Sequence, residues 1–181
     1  DADVLVVGIG VAPAVEWLAG SGLTVDNGVV CGSDLGVGRD GVFAAGDVAR
    51  WHNPLFDEVM RVEHWTNAAE QGGHVATNLL AWSAGEPTEA YGAVPFFWSE
   101  QYDRRIQFLG VPAGDDEVRV VAGSLDERRF AALYGSGGRL RAVLGVNMPR
   151  MVMPFNPHLQ QRIGWDEALD VAAALAAPKD G

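Results

Sequence analysis

Two short stretches, Gly46-Asp47 and Glu63-His64-Trp65, hold residue types that can grip a ligand without themselves transferring a proton or a bond. Gly46 closes the apolar run Val42–Ala45, read as a strand, and a glycine there lets a ligand approach the backbone. An ionised Asp47 can accept hydrogen bonds from several hydroxyls of a polyhydroxylated chain lying across the sheet edge. The same carboxylate is equally suited to capping a helix or closing a turn. Glu63-His64-Trp65 opens a helix, whose N-terminus presents unpaired N–H groups and about half a positive charge, a setting that favours an anionic ligand atom. His64 alone reads as a structural or surface histidine. Phe96-Phe97-Trp98 alternates, so Phe96 and Trp98 share one face and Phe97 takes the other, giving either a core strand or an aromatic lid over a planar cofactor. No two of His52, His64, His74 and His158 stand three or four residues apart, so no helical metal site is expected.

The elements that must position these residues follow from periodicity. Asp3–Gly8 is a continuous β-branched and leucine run, the pattern of a parallel strand buried on both faces. Val15, Trp17, Leu18 and Leu23 indicate a short helix ending at Gly20-Ser21-Gly22. Asp26-Asn27-Gly28 supplies the turn of a hairpin between Thr24-Val25 and Val29-Val30. Trp65, Ala68, Ala69, Gly72, Val75, Ala76, Leu79, Leu80 and Trp82 recur at helical steps, predicting one apolar stripe on a helix of about 18 residues. Gly85-Glu86-Pro87 breaks it and marks a domain boundary. Beyond lie five short strands, Val94–Trp98, Ile106–Val111, Val118–Ala122, Arg129–Tyr134 and Leu140–Val146, whose spacing predicts an antiparallel meander. Leu159–Ile163 is expected to form one or two helix turns, and Asp166–Ala177 a helix.

Composition narrows the function classes. With 48% hydrophobic residues in 181, the chain can bury a core, and no stretch approaches the roughly 20 apolar residues of a membrane span. Without a signal-peptide pattern the expected compartment is the cytoplasm. Cys31 is the only cysteine, which excludes an internal disulfide and a CxxC pair, so redox chemistry would need a cofactor. A formal net charge of −11 argues against nucleic acid or an anionic membrane as partner. The acid is uneven: residues 1–89 hold 13 acidic and 3 basic side chains, residues 90–181 hold 11 and 10, nine of the ten being arginine. Those arginines either form a solvated mixed-charge face or receive the carboxylates of another protein.

Taken in order, Asp3–Pro13, Val42–Ala49, Val62-Glu63-His64-Trp65 with Asn67-Ala68, and Val94–Asp103 resemble the FAD-dependent, NAD(P)H-using ferredoxin and rubredoxin reductases. The resemblance implies an α/β portion, comprising the end of an NAD(P)H domain (1–22) and a returning FAD-domain segment (23–86), followed by an α+β C-terminal reductase domain with an antiparallel sheet (87–181). It implies that Gly8-Ile9-Gly10 lies near the nicotinamide, and that Gly46-Asp47 holds the ribityl chain of FAD. It further implies that Glu63, His64 and Trp65 meet the pyrimidine edge of the flavin, the Trp65 backbone bonding it, and that Trp98 lies beside the ring toward a docking ferredoxin-like iron–sulfur protein. Gly38-Arg39-Asp40-Gly41 and Pro13-Ala14 depart from the family pattern away from those contacts. Asn156-Pro157-His158-Leu159 lacks the His-Pro-Thr signature of the disulfide reductases, which argues against a dithiol mechanism. Neither Gly-rich dinucleotide fingerprint occurs, so the chain reads as the C-terminal portion of a longer enzyme, inactive by itself and holding FAD weakly. A homodimer, or a rearranged N-terminal segment, would cover the apolar surface so exposed. An assembly module, or a parent like apoptosis-inducing factor or a nitrite-reductase-linked flavoprotein, remains an alternative.

Overall fold

The computed structural model describes residues 1–177. Three strands, β1 (Val29–Cys31), β2 (Ala49–Asn53) and β3 (Glu58–Met60), form a small mixed sheet in that order, β1 parallel and β3 antiparallel to β2. The expected hairpin turn is present: Asn27 and Gly28 take positive φ, and Val25 bridges Val29. β2 and β3 lie where no period was evident in the sequence. β2 does alternate, burying Ala49, Trp51 and Asn53, but a buried asparagine disguises the pattern. Asn53 is satisfied by donating to the Ala93 carbonyl (2.9 Å) and accepting from the Leu55 N–H (3.0 Å). Trp51, fully buried, donates from Nε1 to the Tyr91 carbonyl and tilts against the Tyr91 ring, anchoring a core with Cys31, Leu35 and Ala49.

The helix α1 (Trp65–Ser83) forms where expected but turns a different face inward. Its buried residues are Asn67, Gln71 and Asn78, at i, i+4 and i+11, whereas Trp65 (76% exposed) and Leu80 (71%) stand largely in solvent and Trp82 is half-buried against Gly41. The polar stripe faces backbone that has no ladder partners. Asn78 donates to the carbonyls of Asp34 (3.0 Å) and Glu89 (2.8 Å) and accepts from the Glu89 N–H (2.9 Å). Buried amides that complete irregular backbone in this way avoid the penalty of unpaired polar groups.

Two predicted strands are absent. Val4–Val7 and Ile9 (91% exposed) stand in solvent, and no strand includes Asp3–Gly8, because among the described residues no neighbour supplies the ladder that a parallel strand requires. Val42–Ala45 is extended but makes only one bridge, Phe43 to Gly36.

The second half is a five-stranded antiparallel sheet: β4 (Phe96–Gln101), β5 (Arg104–Gly110), β6 (Glu117–Ser124), β7 (Arg129–Ser136) and β8 (Arg139–Val146). Its order, β4-β5-β8-β7-β6, corrects the simple meander, since β8 rather than β6 lies beside β5. Burial explains the order. β7 and β8 bury Ala131, Ala132, Leu133, Leu140, Ala142 and Val143 and take interior places, while β6, mostly exposed, takes an edge. Gly110 (φ +100°) is needed at the β5 end, where a Cβ would lie 2.3 Å from the Arg141 carbonyl oxygen. Helices α2 (Asn156–Gln160) and α3 (Trp165–Ala176) pack on the sheet through Phe155, Leu159, Ile163, Ala168 and Ala172, and Leu55 and Phe56 from the β2–β3 loop join that core. Among the described residues no helix is long and apolar enough to cross a membrane.

Cys31 offers a direct test of the first core. Burial pushes its thiol up to about 11, against a lowering hydrogen bond from the Arg50 backbone and aided by the nearby Asp34 charge. Only the thiolate alkylates. Iodoacetamide at pH 8 is therefore expected to modify native Cys31 at least about 100-fold more slowly than the urea-unfolded chain, as the thiolate fractions for a pKa near 11 and near 8.5 imply. Equal rates, followed by mass spectrometry, would refute this packing.

Candidate flavin cleft

The chain turns at Gly46–Val48 in one 3-10 turn between the extended Ala45 and β2. Gly46 has φ +78°, and its N–H donates to Gln71 Oε1 on α1 (2.8 Å). A Cβ at Gly46 would stand 3.4 Å from Ala68 Cβ, so this backbone lies close against the helix. Asp47, next in the chain, is exposed, and its carboxylate makes no hydrogen bond among the described residues. Arg61 ties the turn to the helix entrance: Nη1 donates to the Asp47 carbonyl (3.0 Å) and pairs with Glu63 Oε1 (2.6 Å).

At the start of α1, the backbone N–H groups of the first turn have no intrahelical acceptor. The N-cap residue, His64, gives them no side-chain bond, and no acidic residue occupies the first turn. The positive end of a 19-residue helix is thus left open. His64 is tilted against Phe97, ring centroids 4.9 Å apart, and its buried Nδ1 has no partner. Arg61 Nε and Gln71 Nε2 are likewise buried and unpartnered around the Gly46-Asp47 turn. Thr66 Oγ1 donates to the Phe96 carbonyl (2.6 Å), fastening the helix entrance to β4.

These links form a cleft of about 230 Å³ lined by Glu63, His64, Trp65, Phe96, Phe97 and Trp98. The structure therefore brings together the helix entrance and the aromatic strand. Phe96 and Trp98 stack on one another (5.9 Å), as alternation requires, while Phe97 stacks on Phe108 (5.8 Å). Trp98 remains 44% exposed and Trp65 more so, leaving two indoles free to cover a planar ring. Gly8-Ile9-Gly10 is not brought to the cleft: both glycines have open space at the Cβ position and Ile9 is in solvent. Sequence reasoning missed Arg61, Thr66 and Gln71. Arg61 had a signal, being one of only three basic residues among the first 89.

The residues fit a flavin. An open helix end, an unpaired imidazole nitrogen, an unpaired carboxylate beside a close-packed glycine, and exposed indoles match the needs of a ring with an anionic edge and a polyhydroxylated tail.

Burial holds the His64 pKa below the usual histidine range, outweighing the upward pull of the Asp47 and Glu63 charges. With the folded value below the unfolded one, the unfolded chain binds more protons once the pH drops below about 6.5. Stability is accordingly expected to fall as pH is lowered from about 6.5 through the folded value, and His64→Gln to flatten that slope. Urea unfolding of both proteins across pH 7.5 to 5 checks this, and parallel slopes would contradict it.

Comparison with known proteins bears on the same segments. Residues 1–72 match the family described as pyridine nucleotide-disulphide oxidoreductase, and residues 96–177 match reductase C-terminal. Rhodocoxin reductase of Rhodococcus erythropolis is 36% identical, over 99% of this chain and 42% of that protein. Among solved structures, Fdr9 superposes with a TM-score of 0.85 at 37% identity, covering 99% of this chain and 46% of that one. The covalent putidaredoxin reductase–putidaredoxin complex gives a TM-score of 0.78 at 31% identity, covering 98% and 43%. The chain thus spans less than half the length of these relatives.

Proposed function

Because this chain belongs to the pyridine nucleotide-disulphide oxidoreductases and carries their reductase C-terminal domain, we propose that it supplies the ring-holding half of an FAD site in an oxidoreductase. That enzyme passes electrons from NAD(P)H through FAD to a ferredoxin-like iron–sulfur protein. Residues 1–22 belong to its nicotinamide domain, 23–86 to its FAD domain and 87–181 to the C-terminal domain. The observation that carries the reading is the cleft joining the open end of α1 to Trp98, with the orphaned His64 Nδ1 in its wall. The name of the putidaredoxin reductase–putidaredoxin complex supports an iron–sulfur partner.

A bound FAD supplies the hydride acceptance and single-electron release that no side chain here provides. The chain's own residues bind and orient. Asp47 accepts hydrogen bonds from ribityl hydroxyls, and Gly46 keeps the backbone close enough for them to reach. The Trp65 N–H and the helix end stabilise negative charge at the pyrimidine edge, His64 lines that edge as a neutral imidazole, and Trp98 shields the ring face. Gly8-Ile9-Gly10 takes the nicotinamide side. Exposed Leu79 and Leu80 on α1, away from the cleft, support a homodimer or a further domain as their cover.

The acidic partner docks on the arginine-rich end of the sheet. The register sets Ile106, Val146, Phe130 and Gly123 on one row near that end, with Arg105 two rungs from the row of Trp98, Arg104 next to it and paired with Asp103, and Arg128 in the turn before β7, two strands away. Neutralising Arg104, Arg105 and Arg128 in the intact enzyme is expected to slow ferredoxin reduction at low salt by about tenfold or more and to flatten its salt dependence. Reduction of a small artificial acceptor should be unchanged. An unaltered rate and salt slope with ferredoxin would sink the docking assignment.

A further inference from the structure

The opposite end of the same sheet holds a second cluster of arginines. Arg139 and Arg141 flank Leu140 on β8, where the pairing with β7 shifts register and leaves Arg141 as the extra residue, and Arg162 follows α2 in a left-handed turn (φ +54°). All three line one cleft of about 210 Å³, closed by Leu55 and Phe56 of the β2–β3 loop and by Ser136 at the Gly137-Gly138 turn. The cleft wall contains no carboxylate. Arg141 pairs through Nη2 with Glu58 Oε1, lies over the Phe56 ring (5.5 Å), and keeps a buried Nε without a partner. Arg162 donates to the Pro54 carbonyl, and Arg139 makes no side-chain hydrogen bond or ion pair among the described residues. Three guanidiniums facing one acid leave two positive charges uncompensated, on a protein whose net charge is −11.

We propose that this cleft binds a phosphoryl group, as the free ion or on a small phosphomonoester. A guanidinium presents two parallel N–H donors that match a phosphoryl oxygen pair, and three converging ones suit a compact dianion better than a single carboxylate. The Arg141 Nε–H and the Ser136 hydroxyl supply further donors at the wall. The apolar Leu55 and Phe56 side leaves room for a short organic substituent while lowering the local dielectric and strengthening the charge contacts. The site is independent of the flavin cleft, which shares none of its residues.

The test is isothermal titration of the intact protein with inorganic phosphate, and separately with glycerol phosphate, against sodium chloride at constant ionic strength. Wild type and Arg139→Gln are compared, because Arg139 is exposed and its loss leaves the core packing in place. Saturable phosphate binding weakened at least tenfold in Arg139→Gln, and partly restored in Arg139→Lys, is expected. Binding of the ester as well assigns a small metabolite, and binding of phosphate alone assigns the free ion. Binding no different from chloride, or unchanged in both Arg139→Gln and Arg162→Gln, overturns the proposal. Comparing variant with wild type removes any phosphate bound at nucleotide sites elsewhere in the protein.

Discussion

Asp47→Ala in the intact enzyme is expected to leave it largely colourless after purification. The carboxylate is exposed, lacks a hydrogen-bond partner among the described residues, and follows a glycine held against α1 by Gln71. Nothing in the fold depends on it, since Arg61 bonds the Asp47 carbonyl and not its side chain. Its loss therefore removes ligand contacts alone. Hydrogen bonds to a charged acceptor contribute about 1.5–3 kcal/mol, so FAD should bind roughly 10- to 150-fold more weakly. Asp47→Asn, which keeps an acceptor oxygen but no charge, should fall between. The flavin-to-protein absorbance ratio after gel filtration, together with an unchanged melting temperature of the apoprotein, decides it. A fully yellow Asp47→Ala protein would remove Asp47 from the site.

The second large effect concerns α1. Asn78→Leu is expected to destabilise the chain by about 2 kcal/mol, because it strands the Glu89 N–H and the Asp34 carbonyl, part-buried groups that each cost about 1 kcal/mol when unpaired, while the Glu89 carbonyl keeps its bond from His74 Nε2 (2.8 Å). Leu80→Gln, on the exposed face, should change stability by no more than about 0.5 kcal/mol. Hydropathy alone ranks these substitutions in the reverse order. Urea midpoints of the two variants separate the alternatives, and a larger loss for Leu80→Gln would mean that the apolar stripe faces the core after all.

That helix shows where the sequence was legible and where it was not. Its existence followed from helical spacing, with the start expected near Glu63 and found at Trp65, and turn spacing gave the place of the five strands of the second sheet. The inward face did not, since periodicity reports which residues share a side but not what that side meets. Here it meets irregular backbone around Asp34 and Glu89, which asparagine satisfies and leucine cannot. The same limit hid β2, where Asn53 occupies a core position to hold the Ala93 carbonyl. Sheet order was illegible for a different reason: β6 and β8 both alternate, and only their burial in the fold shows that β8 is interior. Asp3–Gly8 read as a strand because its side chains suit one, yet a strand also needs backbone partners, which composition does not reveal.

At the cleft, residue type left Asp47 and Trp98 with two readings each and His64 with a structural one, and it was the resemblance to the reductases that singled out Asp47, His64, Trp65 and Trp98. The residues that arrange them, Arg61, Thr66 and Gln71, act through single hydrogen bonds to backbone across 14 to 30 positions of chain and leave no local pattern.

A crystal structure of the intact protein with FAD bound tests the central claim most directly. The account requires a pyrimidine-edge atom of the flavin within about 3.2 Å of the Trp65 N–H, a ribityl hydroxyl within similar reach of the Asp47 carboxylate, and the Trp98 indole against the ring. A flavin ring seated away from the α1 N-terminus, with Asp47 and Trp65 both beyond hydrogen-bonding distance, would contradict it.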